Sequence, residues 1–81
     1  MKLTGKQIRE TKKYLADKLG FYLEDIKDGA HLNDDLGVDS LDAIEILMEI
    51  ELRFNIKIED EEAYKCITVL DVINLIELYN K

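Results

Sequence analysis

The reactive side chains of this sequence are few, and the most informative is a serine among acidic residues. Ser40 lies in the run Asp35-Leu36-Gly37-Val38-Asp39-Ser40-Leu41-Asp42. A catalytic serine needs a base beside it, but no histidine or lysine is close in sequence, and the adjacent aspartates disfavour an alkoxide. The run is also not a Gly-x-Ser-x-Gly motif. The sequence therefore disfavours a hydrolase that acts through Ser40, and we expect no catalytic residues in the chain.

The same position suits a serine that another enzyme modifies. A phosphate ester at the first turn of a helix meets unpaired backbone N–H groups and the positive end of the helix dipole. The neighbouring acids can help an enzyme with basic residues and Mg²⁺ to dock. The alternative is that Ser40 only caps the helix, which is a common role of serine at such a position. From these residues alone both interpretations stay open.

The other reactive residues argue against several functions. One cysteine, Cys66, excludes an internal disulfide framework and a thiolate zinc cluster. One histidine, His31, argues against a histidine-rich metal site and a histidine-based triad. We therefore expect no metal site, with His31 on the surface or in packing and Cys66 as a small buried hydrophobe.

Length and composition indicate a single folded domain that spans residues 1–81. The chain has 81 residues, of which 47% are hydrophobic and 36% charged, which is typical of a globular domain and not of a disordered chain. No apolar run approaches the ~20 residues of a membrane span, and the N-terminus lacks the apolar core of a signal peptide. We expect a soluble, cytoplasmic protein.

The charge is strongly uneven along the chain. Residues 1–27 sum to +3, whereas residues 34–62 contain eleven acids against Arg53 and Lys57 and sum to −9, within a net charge of −7. Such a polyanionic segment repels nucleic acid and anionic membranes and attracts basic protein surfaces. We therefore predict a protein partner and no nucleic acid.

The elements that position Ser40 are predicted to be helices. Capping patterns and helical spacing predict three main helices. The first spans residues 5–19, and the second is capped by Asp39 or Ser40 and ends near Phe54. The last runs from its Thr68 cap to residues 79–81. Asp60 is predicted to cap a single turn that ends at Tyr64. Residues 20–38 form a long connection, which scattered apolar residues attach to the core. The fold class is all-α, a small four-helix bundle with three main helices, one short helix and a long loop between the first two.

The second helix has two apolar faces. At about 100° per residue, one face is the natural core face, and a line of acids (Asp42, Glu45 and Glu49) runs along another side. A second apolar band lies beyond those acids and consists of Leu41, Ile44, Met48 and Leu52. The acids are either a solvated face or a recognition strip. The apolar band is either more core or, beside the acids, a surface for a basic partner.

With these residues in view, the chain closely resembles the acyl carrier proteins. The resemblance rests on the Asp-Leu-Gly-x-Asp-Ser-Leu motif at the start of an acidic helix, and it continues through Asp60-Glu61-Glu62-Ala63 and Thr68-Val69 to the last helix. It implies that Ser40 carries 4′-phosphopantetheine, which a Mg²⁺-dependent phosphopantetheinyl transferase attaches from coenzyme A. Acyl groups would travel as thioesters on that arm to acyl-loading and fatty-acid or polyketide synthase enzymes with basic docking patches. The carrier itself is not an enzyme.

The resemblance also implies roles for two further sets of residues in a monomeric carrier. The partner-recognition set comprises Asp39, Leu41, Asp42, Ile44, Glu45, Met48 and Glu51. The candidates for an acyl pocket are Leu47, Ile50, Ile58, Cys66 and Ile67, whose alternative role is that of an ordinary core.

Departures from the family pattern leave the pathway open. Fatty-acid members usually have further glutamates where this chain has Leu52 and Arg53, a change that weakens the end of the acidic strip. The alternatives are a carrier of polyketide or aminoacyl cargo in a specialised pathway and, from another class, an acidic helical interaction module without a prosthetic group. A calcium site is disfavoured, because the acids around Gly37 do not follow the EF-hand order.

Overall fold

The chain folds as the predicted all-α bundle. The structure, a computed structural model, describes residues 2–80; Met1 and Lys81, the ends of the predicted domain, lie outside the described residues. Its helices are α1 (Gly5–Leu19), α2 (Ser40–Phe54), the short α3 (Asp60–Tyr64) and α4 (Val69–Tyr79). Across the described part of the chain no strand is formed, and an isolated β-bridge joins His31 and Thr68.

The ends of α1 are set by local sequence, as predicted. Thr4 and Gln7 form a capping box in which the Gln7 N–H donates to the Thr4 hydroxyl at 3.1 Å and the Thr4 N–H donates to the Gln7 side chain at 2.9 Å. Gly20 ends the helix with a φ of 82°, a left-handed conformation that glycine adopts without steric cost.

The longer helices that follow have similar local signals. Asn55 ends α2 in the left-handed conformation, with a φ of 53°. Thr68 caps α4, and Asp71 completes the capping box. Hydrogen bonds from the backbone N–H groups of Ile67 and Thr68 hold the pKa of the Asp71 carboxyl below its usual value. This cap fixes the segment just before α4, which lines the region in front of Ser40.

The prediction that Asp60 caps the short helix is wrong. Asp60 is the first residue of α3, and Glu59 precedes it without a side-chain hydrogen bond to the helix. The backbone carbonyl of Glu59 instead accepts from the N–H groups of Glu62 and Ala63. Aspartate at the first turn still suits the helix dipole, so the sequence signal is displaced by one position.

The long connection between α1 and α2 has more structure than the sequence suggests. It contains a 3₁₀ turn at Leu23–Asp25, and its buried residues include Ile26 and Leu36. Phe21 and Leu23 are exposed, so the expectation that the scattered apolar residues attach the loop to the core is correct only in part. A connection without helical or strand periodicity gives no sequence signal for which of its apolar residues turn inward.

The end of this connection is fixed against the segment before α4. The Leu32 N–H donates to the Ile67 carbonyl at 2.9 Å, and the Val69 N–H donates to the Ala30 carbonyl at 3.1 Å. These bonds explain how a loop can present residues at a defined place beside α2.

The core lies between the three long helices and the loop. On α2 the core side contains the buried Ile46 and Ile50, and four apolar residues of α4 at helical spacing are buried as well: Val69, Val72, Ile73 and Ile76. The second apolar band of α2 is outside this core.

Candidate functional site

Ser40 is the first residue of α2, and its neighbour Asp39 is the cap. The Asp42 N–H donates to the Asp39 carboxylate at 2.8 Å, and the Asp39 N–H donates back to the Asp42 carboxylate at 3.4 Å. Ser40 is exposed, and within residues 2–80 its hydroxyl makes no hydrogen bond. Since the capping role belongs to Asp39, the Ser40 hydroxyl remains accessible to another enzyme.

The loop before α2 fixes the approach to Ser40. The Asn33 side-chain amide donates to the Val38 carbonyl at 2.9 Å, and the Val38 N–H donates to the Leu32 carbonyl at 2.9 Å. Gly37 has a φ of 69°, so a side chain at this position would be strained. The chain therefore enters α2 with a fixed backbone, and the N–H groups of the first helical turn lie next to the serine.

His31 is near Ser40, but its imidazole contacts Asp34. Both residues line one open cavity. The His31 Nδ1 accepts from the Asp34 N–H at 3.0 Å, and its Nε2 lies 3.7 Å from the Asp34 carboxylate. The imidazole is thus bound to its own loop, and the structure does not pair it with Ser40 as a general base.

Two adjoining cavities extend from Ser40 into the bundle. The outer cavity, about 520 Å³, is open and is lined by residues that include Ser40, Tyr64 and Ile67. The inner cavity is about 300 Å³ and is lined mainly by apolar side chains. Both share the lining residues Leu32, Val38, Ala43, Ala63, Tyr64 and Cys66. The two cavities therefore adjoin beside the start of α2, with Ser40 on the outer side and the apolar interior on the inner side.

The structure brings the predicted pocket residues together around these cavities. Leu47, Ile50, Ile58 and Cys66 line the inner cavity, whereas Ile67 lines only the outer one. Sequence reasoning missed Ala43 and Tyr64, which line both cavities. The small side chain of Ala43 is the only sequence feature that could have indicated that this part of the second helix leaves room for another group.

Cys66 is half-buried at the junction of the two cavities. Burial raises the pKa of its thiol to about 11, and the nearby carboxylates of Asp71 and Glu62 act in the same direction. The thiol is therefore protonated at neutral pH and is a weak nucleophile.

We expect Cys66 to be alkylated slowly in the folded chain. Below pH 9 the raised pKa leaves about a hundredfold fewer thiolates than in an unfolded chain. The rate of reaction with iodoacetamide, followed by intact mass with and without urea, measures this difference on the Ser40→Ala variant, whose only thiol is Cys66. Equal rates in the two conditions would contradict it.

The second apolar band of α2 is on the surface. Leu41, Met48 and Leu52 have 64%, 63% and 79% of their surface exposed, and Ile44 has 47%. The helical angles turn this band away from the buried side of α2, and the acids lie beside it. Ile44 and Met48 are exposed and also border the inner cavity. Of the two interpretations of this band, the structure excludes further core.

The predicted recognition acids differ in their surroundings. Asp39 and Asp42 form the capping box, and Glu45 accepts a hydrogen bond of 2.6 Å from the Lys18 ammonium on α1. That hydrogen bond raises the pKa of the Lys18 ammonium. Sequence reasoning missed Lys18, because a contact across 27 residues leaves no local pattern.

The Glu51 carboxylate makes a hydrogen bond within the protein. Its carboxylate Oε2 accepts from the backbone N–H of Ile58 at 2.8 Å, and Ile58 is buried. This bond ties the segment after α2 to the helix and fixes one wall of the inner cavity.

We expect the Glu51→Ala variant to be less stable by about 1–3 kcal/mol, because the buried Ile58 N–H loses its acceptor. The Glu51→Gln variant keeps an oxygen acceptor and serves as the matched control, with a much smaller loss. Urea unfolding of both variants measures the difference. Equal losses would show that the carboxylate charge matters more than the hydrogen bond.

Within residues 2–80 no helix is long and apolar enough to cross a membrane. The same described residues contain no group of three or more histidine, cysteine or acidic side chains arranged to hold a metal ion.

Fold and site together define a small helical carrier domain, with an exposed serine at the start of one helix and an apolar interior within reach. Comparison with known proteins agrees. The family described as "Phosphopantetheine attachment site" matches residues 9–76.

Acyl carrier proteins are among the similar proteins. That of Chloroherpeton thalassium is 48% identical over 62 residues, which cover 76% of this chain and 78% of that protein. That of Wolinella succinogenes is 43% identical over 68 residues, or 84% of this chain and 90% of that protein. The solved structure of the acyl carrier protein from Enterococcus faecalis superposes with a TM-score of 0.81 at 26% identity, covering 98% of this chain and 100% of that one.

The chain therefore belongs to the acyl carrier protein family, as the sequence motif predicts. Members of the family are carriers of a covalently attached 4′-phosphopantetheine. The family implies interaction with synthase enzymes and with a phosphopantetheinyl transferase.

Proposed function

We propose that Ser40 is the attachment point of 4′-phosphopantetheine and that the holo-protein delivers acyl groups to the enzymes of fatty-acid biosynthesis. The observation that supports this most is the exposed Ser40 hydroxyl, which makes no hydrogen bond within residues 2–80 because Asp39 caps the helix. Ser40 is also the only serine in the sequence, a signal that the motif alone does not use.

The surroundings of Ser40 fit this prosthetic group. The first turn of α2 offers backbone N–H groups and the positive end of the helix dipole to a phosphate on Ser40. The same residue lines the outer cavity, which shares six lining residues with the inner one. When bound, the group supplies a thiol that carries acyl groups as thioesters; the protein supplies the fixed attachment point.

The inner cavity is the proposed site for the acyl chain. Most of its lining is aliphatic, with Leu47, Ile50 and Ile58 from the predicted set. An apolar chain gains free energy there by leaving water, whereas a charged aminoacyl group would lose hydration. This supports a fatty-acyl cargo over the aminoacyl alternative; Cys66 and Ile67 form the passage between the cavities in the same proposal.

The partner surface in this proposal is α2 with the residues around Ser40. Exposed apolar residues and carboxylates lie side by side there, which suits enzymes that present both apolar contacts and basic residues. The proposed set remains the predicted one, with Glu51 acting mainly through the position it gives the segment after α2. We propose further that the protein is a monomer in the cytoplasm and that partner enzymes perform all of the chemistry.

Loading in vitro tests the proposal. The purified protein is incubated with coenzyme A, Mg²⁺ and a phosphopantetheinyl transferase, and its intact mass is compared with that of the untreated chain. We expect one phosphopantetheine added per chain, and peptide mapping to find it on Ser40. No gain in mass, or a gain on another residue, would contradict the proposal.

Cargo is tested on the holo-protein. Incubation with an acyl-loading enzyme and fatty acids should give acyl thioesters, whereas an aminoacyl-loading enzyme should give none. Aminoacylation alone would favour the specialised pathway instead.

A further inference from the structure

We infer that Lys18, on α1, is an internal competitor for Glu45. In the free protein its ammonium holds the Glu45 carboxylate, and a basic side chain of a partner enzyme binds that carboxylate only by displacing Lys18. Lys18 therefore lowers the affinity of the protein for basic partners and favours their release. This inference rests on the proposed function, in which Glu45 belongs to the partner surface.

The contact between Lys18 and Glu45 joins two helices. The Lys18 ammonium donates to the Glu45 carboxylate at 2.6 Å, and 27 positions separate the two residues along the chain. The Asp42 carboxylate also raises the pKa of the Lys18 ammonium, although less than Glu45 does, so the same charge acts on two acids of α2. A cation that α1 contributes therefore occupies part of the acidic side of α2.

The two side chains of this pair differ in exposure. The Lys18 side chain is 20% exposed, whereas that of Glu45 is 49% exposed. A lysine with so little exposure has most of its aliphatic stem covered by the protein, which limits the positions that its ammonium can take. The open half of Glu45 leaves an approach for a second cation, which then competes with Lys18 for one carboxylate.

Two effects oppose a basic side chain that approaches Glu45. Binding costs the existing pair with Lys18, and the Lys18 ammonium repels the incoming cation. An exposed ion pair has a small free energy, so its loss changes an equilibrium constant by at most about fivefold. Such a modest reduction in affinity suits a carrier, because a carrier has to leave one enzyme before it binds the next.

Lys12 provides a matched comparison on the same helix. Its ammonium lies 2.6 Å from the Asp28 carboxylate, and its side chain is 21% exposed, nearly as for Lys18. The six positions between the two lysines place them about 120° apart around α1. Asp28 lies in the connection before α2, and its backbone carbonyl accepts from the Leu70 N–H on α4. Removal of either lysine changes the net charge equally, but only the loss of Lys18 uncovers an acid of the proposed partner surface.

The test measures the Kd between the complete holo-protein and an acyl-loading enzyme that acylates the wild type, at low and at high salt. We expect Lys18→Gln to bind about threefold more tightly than the wild type at low salt. The gain should shrink at high salt, because screening weakens the attraction of the partner and the internal pair alike. Lys12→Gln should stay within about 1.5-fold of the wild type at both salt concentrations.

A double-mutant cycle tests whether the effect acts through Glu45. In the Glu45→Gln background the carboxylate that Lys18 occupies is absent, so Lys18→Gln should no longer tighten binding. An equal gain in that background, or an equal gain with Lys12→Gln, would overturn the inference in favour of a general effect of net charge.

The direction of the change in Kd is equally decisive. An unchanged Kd for Lys18→Gln would show that there is no competition, and weaker binding would make Lys18 itself a contact of the enzyme; either result overturns the inference. Similar Tm values for Lys18→Gln and Lys12→Gln, each of which loses one exposed pair, would confirm that the fold is not the cause. A wild type that gains no phosphopantetheine on Ser40 would overturn the proposed function instead.

Discussion

Replacing Ser40 with alanine is expected to abolish phosphopantetheine loading completely and to leave the fold intact. Loading needs a hydroxyl, and the only serine of the chain is removed. Stability should change by less than about 0.5 kcal/mol, because the Ser40 hydroxyl makes no hydrogen bond within residues 2–80 and alanine favours a helix. Intact mass after incubation with coenzyme A and the transferase measures loading, and thermal unfolding measures stability.

Asp39→Ala is the matched control for this variant. Asp39 accepts from the Asp42 N–H, so its loss should cost about 1 kcal/mol of stability, while the Ser40 hydroxyl is still present and can be loaded. The two variants therefore separate the cap from the attachment point. A Ser40→Ala protein that gains the same mass as the wild type, or that loses as much stability as Asp39→Ala, would contradict this division of roles.

Replacing Leu15 with alanine is expected to lower the free energy of unfolding by about 2–5 kcal/mol. Leu15 is completely buried on α1 and lines the inner cavity, so truncation removes apolar contacts that the surrounding helices cannot easily replace. For a domain of this size the loss corresponds to a fall in Tm of at least about 8 °C. Since the free energy of unfolding of a small domain is low, the variant should be partly unfolded at elevated temperature.

Leu52→Ala is the control for the same chemical change on the surface. Leu52 is 79% exposed, so its truncation should alter stability by less than about 0.5 kcal/mol. Urea unfolding of the two leucine variants gives the comparison. Similar losses at both positions would mean that the assignment of the two faces is incorrect, and a loss at Leu52 alone would place that residue in the core.

How far the fold could be predicted depends on how local its signals are. The ends of α1 and α2 follow from residues three or four positions apart, such as Thr4 with Gln7 and Asp39 with Asp42, together with Gly20 at the end of α1. The start of the short α3 is harder to predict from the sequence. Its first turn is formed by hydrogen bonds to the backbone carbonyl of Glu59, a group that every residue type possesses. The 3₁₀ turn at Leu23–Asp25 has no apolar period, so no sequence pattern predicts it.

Some features of the candidate site likewise have local sequence signals, and others do not. The sequence alone determined the serine at a helix start, the acids around it and the two apolar faces of the second helix, because these depend on neighbouring residues and on the helical period. Four features are seen in the folded structure alone: Asp39 is the cap in place of Ser40, Lys18 pairs with Glu45, Glu51 accepts from the Ile58 N–H, and two cavities meet at Cys66. The choice of cap is local, but aspartate and serine both suit that position, so the sequence leaves the choice open. The other three features depend on contacts between separate segments of the chain, and such contacts leave no periodic pattern in the sequence.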